Sequence, residues 1–388
     1  MISYRLKDLI EIHNGKKYDH LNGGLIPVYG SGGVMCFVDE YLYDGEAVLL
    51  PRKGTLSNIM YTDGKIWTVD TMYYATTSTL ALPYYIYCYL SLLNLGHLDS
   101  GSTLPSMTKA SYNEIEVKLP NLRVQGSVVN AISTIDKKIE LNNKINTELE
   151  AMAKLIYDYW FVQFDFPDAN GKPYKSSGGK MVYNEVLKRE IPEGWKVDNI
   201  NNIIDVKDGT HDSPKPTEQG YHLITSKNLK VEGLDFENAN IISKEDYESI
   251  NRRSEVETGD ILFSMIGSIG VIYKVDEENI SFAIKNVALY KTSQKEAYRN
   301  YIYTFLKSYD MQRYMGNVIS GSIQKFIGLG SLRSMPLLLD DATITEFEST
   351  TEHIFKKKTL IKQENQKLAE LRDWLLPMLM NGQVTVNT

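Results

Sequence analysis

Two short polar loops near the start of the chain carry side chains that hydrogen-bond readily. Gly15-Lys16-Lys17-Tyr18 offers two cations and an aromatic ring, and Arg52-Lys53-Gly54-Thr55 places a guanidinium and an ammonium beside a glycine. Arg pairs well with guanine edges, Lys most often contacts phosphate, and Asn and Gln can pair with adenine. The chemistry that such residues support is recognition of nucleic acid, not the making or breaking of bonds.

Similar polar loops recur along the chain, although each one by itself is read more simply as a solvated turn. Their recurrence at matched positions of an internal repeat is what favours binding. The predicted DNA contacts are Lys16, Lys17, Tyr18, Arg52, Lys53, Thr55, Ser102, Thr103, Lys109, Thr210, His211, Lys227, Asn228, Ser268, Lys285, Asn286, Ser322, Gln324 and Lys325.

Motifs for catalysis or metal binding are missing from the sequence. It contains no G-x-x-x-x-G-K-[ST] phosphate cradle and no D/N-P-P-Y/F tetrapeptide of the kind that grips a flipped adenine. Its six histidines and two cysteines show no spacing typical of metal ligands. We therefore expect no catalytic residues, no metal site and no cofactor in this chain, which does not look like an enzyme.

Charge and composition limit where the protein acts. Lys and Arg number 42 against 49 Asp and Glu, a net charge of −7, so any binding to nucleic acid must come from local basic patches. Two cysteines suit a reducing compartment. No signal peptide and no run of eighteen apolar residues is present, so we expect a cytoplasmic protein that does not bind membranes.

Two segments without Gly or Pro, residues 127–166 and 337–376, are each forty residues long. From Val128 to Ile156, mostly apolar side chains recur in steps of four and three. This series of positions, here called the ladder, is repeated from Phe347 at a constant offset of 219 residues. Such steps are typical of a coiled-coil seam. The pattern predicts two paired helices, antiparallel if a pseudo-twofold axis relates the copies; the alternative is two core helices of unrelated bundles. The predicted seam residues are Ile135, Ile139, Asn142, Asn146, Leu149, Ile354, Ile361, Asn365 and Leu368.

Landmarks ahead of each helix repeat as well. Gly45-Glu46-Ala47-Val48-Leu49 resembles Gly259-Asp260-Ile261-Leu262-Phe263, and Gly101-Ser102-Thr103 matches Gly321-Ser322-Ile323. The fold class predicted is mixed α/β (α+β), with a module and a long helix written twice. Strands are predicted at 47–50, 66–69, 261–265 and 283–290, and helices at 84–95 and 297–315. The predicted domains are 1–120 (first module), 121–166 (first long helix), 167–194 (connector), 195–340 (second module) and 341–388 (second long helix and tail).

This layout resembles the specificity (S) subunit of type I restriction–modification enzymes. The stretch FDFPDANGKPYKSSGGKMVYNEVLKREIPEGWKV, residues 164–197, is similar to the central conserved region of many such subunits. The helix end at 149–161 and the Gly-Ser motifs agree with it. The resemblance covers the whole chain, while the modules match only at their landmarks.

The resemblance implies two target recognition domains, each reading one half of a bipartite sequence in double-stranded DNA. The paired helices would set the separation of the domains and form the platform for two methyltransferase (M) subunits. S-adenosylmethionine would be bound by the M subunits and ATP by restriction (R) subunits. One difference between the copies is that Met265-Ile266 replaces Arg52-Lys53, so the two glycine loops offer different chemistry to DNA.

Two other classes of function remain open from the sequence. The chain could be a protein–protein adaptor with a dimerising helix pair, or an enzyme with an unrecognised site such as a nuclease. DNA binding that weakens with salt distinguishes a DNA reader from an adaptor. Metal-dependent cleavage by the purified chain would indicate the enzyme.

Overall fold

The computed structural model describes residues 1–93, 95, 105–230, 233–321 and 325–384. The chain forms two compact units, Met1–Asn142 with Glu364–Thr388, and Asn143–Gln363. Each unit contains one β-rich module and one part of each long helix.

The first unit is built mainly from short strands. They are β1 (Ile2–Arg5), β2 (Ile10–Asn14), β3 (Gly23–Gly30), β4 (Gly33–Val38), β5 (Tyr43–Asp44), β6 (Ala47–Pro51), β7 (Met60–Thr62), β8 (Lys65–Thr68), β9 (Met72–Thr77) and β10 (Glu116–Leu119). Helices α1 (Pro83–Ser91) and α2 (Lys109–Asn113) precede the long helix α3 (Leu122–Tyr157).

The strands of the first unit form two four-stranded sheets and one separate pair. The sheet orders are β2-β9-β6-β7 and β4-β3-β8-β5, and β1 pairs with β10. Only the pair of β3 with β8 is parallel among the described strands of this unit. Every residue of β6 is buried because this strand packs on both faces, which explains its continuous apolar sequence.

The second unit contains the remaining elements. Its strands are β11 (Met181–Asn184), β12 (Arg189–Pro192), β13 (Lys196–Asn199), β14 (Val206–Asp208), β15 (Tyr221–Thr225), β16 (Asn240–Ile242), β17 (Ile261–Ser264), β18 (Ile272–Lys274), β19 (Phe282–Lys285), β20 (Val287–Tyr290) and β21 (Pro336–Leu339). Its helices are α4 (Lys244–Ser254), α5 (Arg299–Leu306), α6 (Tyr309–Val318) and α7 (Leu329–Arg333), and the long helix α8 (Asp341–Met380) begins here.

Strand order confirms the internal repeat predicted from the sequence. The sheet β14-β20-β17-β18 repeats the order β2-β9-β6-β7, and β16-β15-β19 repeats β4-β3-β8. The parallel pair recurs between β15 and β19, and β13 pairs with β21 as β1 does with β10. Where the first unit has β5, the second has α4. The mixed α/β fold class is therefore confirmed.

Several predicted elements are interrupted in the structure. Residues 283–290 form two strands that lie in different sheets, because Asn286 between them adopts a left-handed conformation (φ 53°) that interrupts the extended chain. Residues 297–315 form α5 and α6, because Ser308 caps a new helix: its Oγ accepts from Met311 N at 3.3 Å. The helix predicted at 84–95 ends at Ser91. In the first long segment α3 ends at Tyr157 and continues only as a π-helical turn through Val162.

Within the first unit, α3 and α8 run antiparallel. Asn142 Nδ2 donates to Glu364 Oε2 and to Asn365 Oδ1, both at 2.8 Å. Six residues earlier on α3, Asp136 Oδ1 accepts from Arg372 Nη1 at 3.1 Å. Residues nearer the start of α3 therefore contact residues nearer the end of α8, which is the order of an antiparallel pair. The predicted seam asparagine Asn365 is thus satisfied by Asn142, since an amide on a helix seam needs a polar partner.

The second unit shows the same antiparallel pairing. Glu150 on α3 accepts from Lys358 on α8, and the Tyr157 ring lies 6.1 Å from the Phe347 ring. All nine predicted seam residues are buried or half-buried in their own units. Two further rungs of the predicted ladder, Met152 and Leu371, are exposed instead. In the second unit the buried face of α3 is shifted by one residue, from Met152 to Ala153, because the end of this helix packs onto the module of the unit.

Candidate nucleic-acid interface

In the first unit, the glycine loop after β6 is fixed against the chain that follows the Gly-Ser motif. Met107 N donates to Arg52 O at 2.9 Å, and Lys53 forms an isolated β-bridge with Ser106. Gly54 follows with a positive φ of 92°, a conformation that side chains other than glycine rarely adopt. The loop therefore has a defined backbone from which Arg52 and Lys53 extend.

The two basic loops predicted from the sequence border the same turn, between β8 and β9. Lys16 N donates to Thr68 O at 2.8 Å at one end of this turn. Arg52 Nη1 donates to Asp70 O at 3.3 Å, and its guanidinium carbon lies 5.9 Å from the centre of the Tyr73 ring. Because the Arg52 side chain remains exposed, it is positioned by these contacts and still available to a ligand.

The other predicted contacts of the first unit differ in accessibility. Lys17 and Thr55 are exposed, whereas Tyr18 packs partly against a small core cluster. The Lys109 ammonium makes an internal hydrogen bond to Ile12 O at 2.7 Å and is half-buried, which gives it a structural role in this unit. The predicted contacts Ser102 and Thr103 lie outside the described residues.

The second unit fixes its glycine loop in the same way. Ile327 N donates to Met265 O at 3.0 Å, and Ile266 forms an isolated β-bridge with Phe326. Gly267 has a positive φ of 76°, as Gly54 has in the first unit. The backbone frame is therefore repeated, while the side chains on it change from basic and polar to apolar.

Residues that the sequence placed in three separate loops meet beside this frame. Thr210 bridges to Lys285, and Asn286 N donates to Thr210 O at 3.2 Å. Asn286 Oδ1 lies 2.7 Å from His211 Nδ1, and Ser226 Oγ donates to Asn286 O at 3.0 Å. The parallel neighbours β15 and β19 end together, which is why the loops that follow them converge.

Two charged residues that complete this cluster were not predicted. The buried carboxylate of Asp208 accepts from Arg253 Nη2 and lies 2.9 Å from His211 Nε2. Neither residue belongs to a recognisable motif. The adjacent arginines 252 and 253 at the end of α4 are the sequence signal that could have found this part of the surface.

A cleft of about 700 Å³ opens next to the cluster. Its lining includes Ser226, Lys227, Lys230, Ile266, Gly267 and Asn286. Asn228 also borders the cleft, but this residue is buried: its Oδ1 accepts from Thr225 N at 3.0 Å and its Nδ2 donates to Asp235 O at 3.1 Å. The amide of Asn228 therefore supports the loop from within. Ser268 and Lys325 are exposed, and Ser322 and Gln324 lie outside the described residues.

The long helices carry a second repeated surface feature. In the second unit, Met152 and Leu155 on α3 and Tyr159 in the π-helical turn that follows are exposed and share one helix face. On α8, within the first unit, Leu371 and Trp374 are exposed at the positions 219 residues later. Leu155 is 66% exposed and Trp374 is 60% exposed. Side chains of this size exposed in a stripe are typical of a protein-binding surface.

The described ranges contain neither a metal-ligand cluster nor a membrane-spanning helix. No group of three or more His, Cys, Asp or Glu side chains is arranged there to hold a metal ion. In the same residues, none of the helices combines the length and the apolar character needed to cross a membrane.

Residues 2–151 match the family model described as the type I restriction modification DNA specificity domain. The match covers 150 of the 388 residues, and these include the module of the first unit. The module of the first unit thus matches a DNA specificity domain, and the repeated strand order of the second unit gives the chain a second module of the same topology. The family resemblance predicted from the sequence is confirmed.

Two specificity subunits of type I restriction enzymes are similar in sequence to this chain. The MjaIX specificity subunit of a type I restriction enzyme from Methanocaldococcus jannaschii is 24% identical over 303 residues, which cover 75% of this chain and 66% of that relative. The HindI specificity subunit from Haemophilus influenzae is 21% identical over 346 residues, 73% of this chain and 72% of the relative. The alignment with the first relative therefore spans just under two thirds of its length.

A solved structure shares the fold of the whole chain. The S subunit of a type I restriction–modification system from M. genitalium superposes with a TM-score of 0.55 at 13% identity, covering 100% of this chain and 96% of the other. This similarity shows that the fold of the chain is also found in a solved structure.

Proposed function

We propose that this chain is the DNA-reading subunit of a type I restriction–modification complex and that each module reads one half of a bipartite target. The observation that carries the proposal is the repeated frame: the same strand order and the same loop bridges present Arg52 and Lys53 in one module and Met265 and Ile266 in the other. Two unlike half-sites need this combination, a common geometry with different side chains for hydrogen-bonding or contacting base edges.

The net charge of −7 fits a subunit that does not bind DNA strongly alone. Phosphate contacts supply much of the affinity of DNA-binding proteins, and the net negative charge of this chain opposes such contacts. In this proposal, partner subunits neutralise the phosphates while the loops described above contact base edges. Affinity of the isolated chain should therefore be weak and should fall as salt is added.

The long helices have two roles in the proposal. They separate the modules, so that the spacing of the half-sites follows from helix length, and they carry the methyltransferase subunits. Each exposed apolar stripe, one around Leu155 and one around Trp374, would bind one methyltransferase subunit. The constant offset between the stripes supports two equivalent docking sites.

Chemistry is assigned to the partners. S-adenosylmethionine would be held by the methyltransferase subunits, which modify adenine, and ATP by restriction subunits, which translocate and cleave DNA. This chain would supply sequence recognition and no catalytic group.

Mapping of methylated adenines in cells with and without this chain tests the proposal. We expect a set of adenines in one bipartite sequence to be methylated only when the chain is present. Replacement of residues 1–119 by a module from another specificity subunit should change one half of that sequence and leave the other half. A methylation pattern that does not depend on the chain would exclude the proposal.

Docking is tested with charged substitutions in the stripes. Leu155→Glu and Trp374→Glu should each remove one of two methyltransferase subunits from the complex, because a buried unpaired carboxylate opposes association. The control is Leu25→Glu, at a leucine of the β3 strand that is 93% exposed. Mass measurement of the assembled complexes gives the stoichiometry, and two bound subunits in both stripe variants would contradict this docking site.

A further inference from the structure

Equivalent backbone bridges in the two modules carry opposite side-chain chemistry. In the first unit the bridge joins Lys53 with Ser106, and in the second it joins Ile266 with Phe326. The bridge is next to the fixed glycine in both units and beside the loops that hold the polar clusters. A polar pair has thus become an apolar pair at one position of an otherwise repeated frame.

Within the apolar pair Phe326 is exposed and Ile266 is half-buried, and the backbone of both residues is held by hydrogen bonds or the bridge. Phe326 is 45% exposed. Its N donates to Ser320 O and its O accepts from Ser320 N, both at 2.9 Å, and the next residue, Ile327, donates to Met265 O at 3.0 Å. A backbone held this way loses little conformational freedom when a ligand covers the side chain, so the contact is well suited to recognition.

The location of the pair indicates which ligand covers it. Ile266 lines the same cleft as Ser226, Lys227 and Asn286, whose donors and acceptor groups suit base edges and phosphate. Lys325, next to Phe326, adds an exposed cation. An apolar contact surrounded by such groups fits DNA better than it fits the apolar core of a protein interface, where charged residues are depleted.

Duplex DNA offers one prominent apolar group in its major groove, the C5-methyl group of thymine. We propose that Ile266 and Phe326 form a thymine-reading contact, in which the Phe326 ring covers this methyl group in the half-site read by the second module. The first module has Lys53 and Ser106 at the same position and reads a hydrogen-bonding edge or a phosphate there. This inference rests on the proposed function and names a specificity-determining residue within it.

Removal of the methyl group alone provides the test. The complete complex with its methyltransferase subunits is bound to duplexes that carry the mapped target, with each thymine of the second half-site replaced in turn by deoxyuridine. One replacement should weaken binding by the wild-type chain about fivefold, the loss expected for one buried methyl group. Phe326→Ala should show the same loss on thymine DNA and no further loss on deoxyuridine DNA at that position. Tyr183→Ala, at an exposed aromatic residue of the connector in the same unit, should retain full sensitivity to deoxyuridine.

Two results would overturn the inference: a second half-site that contains no thymine, or a Phe326→Ala complex that loses as much affinity on deoxyuridine DNA as the wild type does. Because Phe326 is a surface side chain, the variant is expected to fold, and Ile266→Ala supplies an independent reduction of the same contact. Failure of the proposed function is distinguishable, since no dependence of methylation on the chain would then be found in either half-site.

Discussion

Glu150 is the residue through which α3 holds both α8 and the second module. Its two carboxylate oxygens accept from the ammonium groups of Lys307, at the end of α5, and of Lys358, on α8. Burial would raise the pKa of this carboxyl group, but the two lysines outweigh it and hold the pKa below its usual value of 4.5. We therefore predict that Glu150→Gln destabilises the protein at neutral pH.

The expected magnitude follows from the environment of the three side chains. A hydrogen bond that involves a charged group contributes about 1.5–3 kcal/mol when one partner is removed. Glu150 and Lys307 remain 39% and 31% exposed, so solvent screens part of this interaction, while Lys358 is only 16% exposed. Gln keeps the size of the side chain but leaves two ammonium groups without a counter-charge. We expect a loss of about 2 kcal/mol, or a Tm lower by roughly 4–8 °C.

Urea and thermal unfolding followed by circular dichroism measure the loss, with Glu148→Gln as the control because it makes the same charge change at an exposed position two residues earlier. The difference in the free energy of unfolding between the two variants should have its full value at pH 7. It should shrink as pH falls below 4.5, through the lowered pKa, because the wild-type carboxylate is then protonated as well. Equal stability of the two variants at pH 7 would refute the role of Glu150.

Two further predictions concern a buried carboxyl group and the first recognition loop. Burial raises the pKa of Glu348 to about 7, although its Oε2 accepts from Asn300 N at 2.8 Å. The contribution of Glu348 to stability should therefore be full at and below pH 4.5 and fall by up to about 3 kcal/mol as pH rises from 4.5 through 7, and Glu348→Gln should remove this contribution in unfolding measured at pH 5 and 8. Arg52→Ala should weaken binding of the complex to the first half-site by about tenfold and leave the second unchanged. Arg123→Ala, at an exposed position of α3, should bind like the wild type in the same titration.

The long helices and the repeat could be predicted from the sequence because their determinants are local. A ladder in steps of four and three depends only on which side chains follow one another, and the offset between Val128 and Phe347 is visible by comparison of two stretches. Strands such as β6 and β17 were predicted for the same reason, since a continuous apolar run between turns is typical of a strand buried on both faces. The break at Asn286 was missed because nothing in a run of strand-forming residues marks a single left-handed position.

The candidate site was predicted as loops but not as an arrangement. The sequence indicated that Thr210, Lys285 and Asn286 could bind nucleic acid, and it gave no sign that they meet. Their contact depends on β19 lying beside β15 and next in the chain to β20. Strand order depends on how distant segments pack, and short-range sequence patterns contain little information about it. Asp208 and Arg253 were missed for this reason.

The amino-acid order alone establishes the duplicated plan, the long amphipathic helices and the absence of recognisable catalytic motifs, because periodicity, repetition and short motifs are properties of neighbouring residues. Three-dimensional packing was needed to show that Asn142 donates to Asn365, that Asn228 is buried, and that Phe326 is exposed beside Ile266. Each of these depends on the partner that a side chain finds far along the chain. A hydrogen bond or a buried surface forms only where two such segments are brought together by the fold.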